Sequence, residues 1–104
     1  MHEHLLTQAE HGGSVRVAIG DTILVRLHES PTTGYRWQFE LPAALSLSAD
    51  DFVVAGVAAG AGGERVIRLL ASAPGCHELR ATLRRSWLPD AEPSARFAVT
   101  VDVA

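Results

Sequence analysis

An all-β, immunoglobulin-like sandwich of Greek-key type is the fold class this sequence predicts, and three observations lead to it. Apolar and polar residues alternate in one short segment after another, which is the period of a strand with one buried face. No stretch replaces that alternation with a sustained 3.6-residue repeat. Trp37 stands on the apolar face of the third segment, where sandwiches of this kind bury a tryptophan. About seven short strands fit into the 104 residues.

The first segment has Val15, Val17 and Ile19 alternating with Arg16 and Ala18. Gly20 and Asp21 then turn the chain into Ile23, Val25 and Leu27, which alternate with Leu24, Arg26 and His28, so the spacing predicts two tightly joined strands. Tyr35, Trp37 and Phe39 form the apolar face of a third strand that Pro42 ends. From Ala43 to Asp50 the pattern is weak and fits either one helical turn or a loose edge segment. Phe52 to Val57 reads as the fourth strand, followed by the small-residue stretch Ala58 to Gly63. Arg65 to Leu70 is apolar at nearly every position, as in a strand flanked on both sides. Ala73, Pro74 and Gly75 make a corner, after which Leu79, Ala81 and Leu83 mark the sixth strand. The seventh carries Phe97, Val99, Val101 and Val103 on one face.

Length and composition bound the function. A chain of this size holds one core, so residues 1–104 form a single domain, with 1–12 expected as a mobile polar tail. The single cysteine cannot form an intramolecular disulfide, which leaves packing to hold the fold and predicts a buried thiol at Cys76. Net charge is −3 and every cation is arginine, with no basic cluster to follow a phosphate backbone, so no nucleic-acid partner is expected. No apolar run approaches the roughly 20 residues of a membrane span, and the polar start lacks the apolar core of a leader. The expected location is cytoplasmic for the chain as given, and periplasmic or secreted if a leader has been removed.

Enzymatic chemistry finds no footing. His2, His4 and His11 sit in the polar tail, Cys76 and His77 are strand neighbours that point to opposite faces, and Asp50, Asp51, Asp90 and Glu92 form no acid and base pair. No metal, cofactor or catalytic residue is therefore expected.

Three connections are more specified than plain turns require. In Ser30-Pro31-Thr32-Thr33-Gly34-Tyr35, proline fixes its own φ and biases Ser30 toward extended geometry, while Gly34 accepts a positive φ. The hydroxyls can brace the backbone, although an ordinary turn would use the same residues. Gly60-Ala61-Gly62-Gly63 leaves backbone groups open to another chain, as a plain hairpin tip also would. It lacks the lysine and following helix of a phosphate loop. Around Arg85-Ser86-Trp87 a tryptophan stands in a loop beside arginine, the composition of a binding hot spot or of a lid over the core. In a Greek-key sandwich these three loops emerge at one end.

Together the motifs carry a resemblance to the chagasin family of cysteine protease inhibitors. SPTTGY resembles that family's NPTTGY loop, GAGG its GxGG loop, and RRSW its RPW loop, in the same order and over nearly the whole chain from about Val15 to Val103. Ser30 stands where the family has asparagine and Ser86 where it has proline. The resemblance implies a monomeric, noncovalent inhibitor that plugs the cleft of a papain-like cysteine protease. It implies that Thr32 and Thr33 approach the catalytic cysteine and histidine, that Gly60 to Gly63 lie along the non-primed cleft, and that Trp87 packs on the primed side. The alternative left by the residues alone is an immunoglobulin-like module that binds protein or carbohydrate without inhibiting anything.

Overall fold

The computed structural model, described over residues 2–30, 34–54, 62–85, 87 and 92–104, turns the alternating segments into two four-stranded sheets enclosing one core. Eight strands are found among the described residues: β1 (Glu3–Leu6), β2 (Ser14–Val17), β3 (Thr22–Glu29), β4 (Tyr35–Glu40), β5 (Leu45–Val54), β6 (Gly63–Ala71), β7 (Gly75–Arg85) and β8 (Ala95–Val103). One sheet has the order β1-β3-β6-β5 and the other β2-β8-β7-β4. The all-β sandwich expected from the alternation is the architecture found.

Period two decides what each strand buries. On β3 the inward positions are Ile23, Val25 and Leu27; β6 contributes Ile67, Leu69 and Ala71, β7 Leu79 and Ala81, and β8 Phe97, Val99, Val101 and Val103. Each fully buried aliphatic side chain of this size stabilises by about 1.5–3 kcal/mol relative to exposure. Trp37 joins this cluster from β4 with 8% of its surface exposed.

Three local expectations differ from the structure, and one open reading is decided by it. The segments on either side of Gly20 and Asp21 do not pair with each other. β2 runs parallel to β8 in one sheet and β3 lies in the other, so the connection is a corner between layers. Asp21 builds that corner: its carboxylate accepts the Ala18 and His2 backbone N–H groups, each at 3.0 Å, and bonds the His4 ring at 2.9 Å. The amino-terminal segment is not a free tail either. β1 adds to β3 in parallel, Leu6 is buried in the core, and Thr7 and Glu10 form a reciprocal cap on the short 3-10 turn Gln8–Glu10. Of the two readings of Ala43 to Asp50, the edge segment is the one found: it belongs to the start of β5, at the edge of its sheet, where a bulge between Leu47 and Ala49 breaks the alternation. Cys76 is exposed, because the inward parity of β7 runs through Leu79 and Ala81 and leaves even-numbered residues on the outer face.

The Asp21 corner makes stability depend on acid in a defined sense. Hydrogen bonding from the Ala18 N–H, then from the His4 ring and the His2 N–H, holds the Asp21 carboxyl well below the ordinary carboxylate range. A pKa depressed in the folded state contributes stability above the unfolded value of about 4, and that contribution is lost as pH falls below it. Asp21→Asn is therefore expected to melt lower than the wild type at neutral pH, with the gap closing as the medium is acidified. Thermal melts across the acid range measure this, and a gap independent of pH would count against the corner's ionic character.

Candidate functional site

Strand register brings the stems of the three singled-out loops to one end of the sandwich. Glu29 at the end of β3 and Val54 at the end of β5 both pair with Gly63 at the start of β6. In the other sheet, Tyr35 at the start of β4 pairs with Arg85 at the end of β7, and Leu83 pairs with Ala95 at the start of β8. The connections β3–β4, β5–β6 and β7–β8 therefore share one rim, although the first and last are more than 50 residues apart in sequence.

Two glycines show how close these stems come. Gly34 has φ +80°, and a β-carbon there would collide with the six-membered ring of the Trp87 indole, so the first and third loops touch through a missing side chain. Gly62 has φ +77°, and a β-carbon there would lie 3.2 Å from both His28 Cε1 and Ser30 Oγ. This contact joins the second loop to the first. Gly63 is buried against the Val53 carbonyl and the Phe52 ring, where any added carbon would meet backbone. Gly34 and Gly63 are thus needed for close approach, and Gly34 and Gly62 for a positive φ.

Around that contact line the side chains form a mixed aromatic and cationic edge. The Arg85 guanidinium sits 4.8 Å from the centroid of the Tyr35 ring, a cation–π arrangement across the β4–β7 ladder. Trp87 is 63% exposed, so it does not fold back to cover the core; it stands on Gly34 with most of its surface open. Of the residues named from sequence, Ser30, Gly34, Tyr35, Gly62, Gly63, Arg85 and Trp87 are brought together at this rim. Pro31, Thr32, Thr33, Gly60, Ala61 and Ser86 lie outside the described residues.

Beneath the rim lies a polar group that the sequence reading passed over. Glu29 is fully buried, and its carboxylate accepts the Trp37 backbone N–H at 2.8 Å and the Arg65 Nη2–H at 2.6 Å. Arg65 also reaches Asp50 through Nη1 at 3.2 Å and lies 5.7 Å from the centroid of the Phe52 ring. Hydrogen bonding to the Glu29 carboxylate raises the Arg65 guanidinium above the ordinary arginine value, against the opposing effect of burial. The signal for Glu29 was present in the sequence, since it continues the inward series Ile23, Val25, Leu27 by one more step of two.

Among the described residues no three His, Cys, Asp or Glu side chains are grouped to hold a metal ion. A depression of about 650 Å³ lies on the outer face of the second sheet, lined in part by Gln38, Glu40, Arg80, Thr82 and Arg96. Among the described residues, its lining includes none of those gathered at the rim.

Comparison with known proteins gives the rim a context. The model of the family described as Chagasin family peptidase inhibitor I42 matches residues 16–101. The chain is 31% identical to chagasin of Trypanosoma cruzi over 103 residues, covering 92% of this chain and 94% of that one. Amoebiasin-2 of Entamoeba histolytica is 30% identical, with 94% of this chain and 83% of that protein covered. The crystal structure of the cysteine protease inhibitor EhICP2 from Entamoeba histolytica superposes with a TM-score of 0.86 at 27% identity, covering 99% of this chain and 96% of that one.

Proposed function

We propose that this chain, which belongs to the chagasin family of peptidase inhibitors, blocks papain-like cysteine proteases by seating its three-loop rim in their active-site cleft. It is a cysteine protease inhibitor and not an enzyme, and papain-like proteases are its partners. The residues assigned to the contact are Ser30 to Tyr35, Gly60 to Gly63, and Arg85 to Trp87. In this reading Thr32 and Thr33 approach the catalytic cysteine and histidine, the glycine loop follows the non-primed cleft, and Trp87 packs on the primed side.

The observation that supports the reading most is the meeting of Gly34 with Trp87 and of Gly62 with Ser30 along one edge, in contacts where a β-carbon would clash at the first glycine and be crowded at the second. A surface assembled before the partner arrives loses less conformational entropy on binding than a set of free loops. Inhibition is by occupancy: no bond is made or broken, and substrate is excluded while the rim fills the groove. Competitive kinetics follow.

Titration of the purified domain against papain and cathepsin L, with a peptide substrate, tests this directly. The wild type is expected to inhibit competitively and reversibly, and Thr32→Ala and Trp87→Ala to inhibit less at unchanged fold; Gly62→Glu is expected to inhibit less and also to melt lower, because φ is +77° there. Absence of inhibition at micromolar concentrations would overturn the proposal and favour a binding module without inhibitory action.

A further inference from the structure

A carboxylate at the fourth inward position of β3 needs a physical reason. The three preceding inward residues are Ile23, Val25 and Leu27, and Glu29 is as buried as they are, with 0% of its surface exposed. Burying an ionised carboxylate is costly unless it is paired and hydrogen-bonded, and an apolar residue there would often serve stability as well or better. What hydrogen bonds supply beyond apolar packing is direction. Glu29 makes such bonds to two other strands.

The first set closes the β3–β4 connection. Sheet order leaves β4 at an edge, with β7 on one side, and among the described residues the opposite side of its backbone has no strand partner. There the Trp37 backbone N–H donates to Glu29 Oε2 at 2.8 Å, and the Trp37 indole N–H donates to the His28 carbonyl, also at 2.8 Å. Both bonds run from a single residue of β4 to neighbouring residues of β3. They form a two-point clasp across the two stems of the first loop, linking the two sheets at the rim.

The second set reaches the glycine loop. Arg65 donates to Glu29 Oε1 from Nη2 at 2.6 Å and to Oε2 from Nε at 3.4 Å, and its remaining nitrogen reaches Asp50 on β5 at 3.2 Å. The Glu29 backbone pairs with Gly63, and its carbonyl oxygen lies 3.5 Å from where a β-carbon of Gly62 would stand. One buried side chain thus holds the stems of the first and second loops, and the Gly34–Trp87 contact extends the linkage to the third.

We infer that Glu29, clamped by Arg65, is a positioning residue of the inhibitory rim, setting the separation of the loop stems without touching the protease. This rests on the function proposed above, and goes beyond it by placing a determinant of potency beneath the contact surface. Glu29→Gln keeps the shape and one acceptor for the Trp37 N–H, but it removes the charge that orients the guanidinium and turns an amide toward it. Its inhibition constant for papain is expected to rise at least about tenfold, with faster amide hydrogen exchange at Gly34, Tyr35 and Trp37 in the free protein.

Val101→Ala is the matched control, since Val101 is buried toward the end of β8 far from the rim. It is expected to lower the melting temperature while leaving the inhibition constant within about twofold of the wild type, because the loop stems are untouched. Should Glu29→Gln fail to fold, Arg65→Lys carries the same comparison, keeping the charge and losing the planar fork. An inhibition constant and exchange rates indistinguishable from wild type in the Glu29 variant would overturn the inference. So would a Val101→Ala protein that loses inhibition to the same degree. If the wild type itself fails to slow papain, the proposed function falls, and the exchange rates of the free protein alone decide whether Glu29 orders the stems.

Discussion

Trp87→Ala is expected to weaken inhibition of papain by about 30- to 1,000-fold while leaving the melting temperature within about 2 °C of wild type. The first figure corresponds to roughly 2–4 kcal/mol, the range of a tryptophan at the centre of an interface. The second follows from exposure: with 63% of Trp87 in solvent, its removal takes little from the core. Its six-membered ring lies against Gly34, so the side chain is held before any partner arrives and most of its apolar face is free to be buried on binding. Inhibition constants and thermal melts on the same preparation measure both quantities. A variant that inhibits normally would show that Trp87 lies outside the contact, and one that melts far lower would show that the indole acts as a cover.

The other tryptophan is expected to behave in the opposite way. Trp37→Ala should cost about 3–5 kcal/mol of folding stability, a large share of what a domain of this size possesses. Trp37 is 8% exposed within a core that has no disulfide, and its indole N–H and backbone N–H are both bonded to the end of β3. Truncation would leave a cavity between the sheets and free the His28 carbonyl. Trp37→Phe separates the two effects, since it keeps most of the apolar volume and loses only the indole hydrogen bond, an expected cost of about 1–2 kcal/mol. Urea denaturation of the three proteins gives these differences. An alanine variant weakened by less than about 1.5 kcal/mol would mean that neighbouring side chains collapse into the space.

The contrast between the two tryptophans was partly legible before any coordinates. Trp37 sits in register with Tyr35 and Phe39 on an alternating segment, which marks it as inward. Trp87 sits between loop residues, which left open whether it contacts a partner or covers the core; the exposed indole resting on Gly34 settles that it is not a cover. Glu29 was legible in principle, by the same parity that picked out Leu27, yet a charged residue at the end of an apolar series reads as the place where a strand stops. Its partners could not be read at all, because Trp37 and Arg65 lie 8 and 36 residues away and meet it only through packing.

Strand existence and burial parity are local properties, since the pleat sends successive side chains to opposite faces whatever the partner strand. For that reason the alternating runs, the inward valines and leucines of β3 and β8, and the three unusual loops could all be named from the chain alone. Which strands lie side by side is a non-local choice. It made β2 a parallel neighbour of β8 instead of a hairpin partner of β3, and it drew the polar segment Glu3–Leu6 into the sheet as β1. It also gathered Ser30, Gly34, Gly62 and Trp87 onto one edge above the buried Glu29 and its partly buried partner Arg65. That gathering depends on two sheets closing over a shared core, an energy set by all the inward side chains together and by no one segment of the sequence.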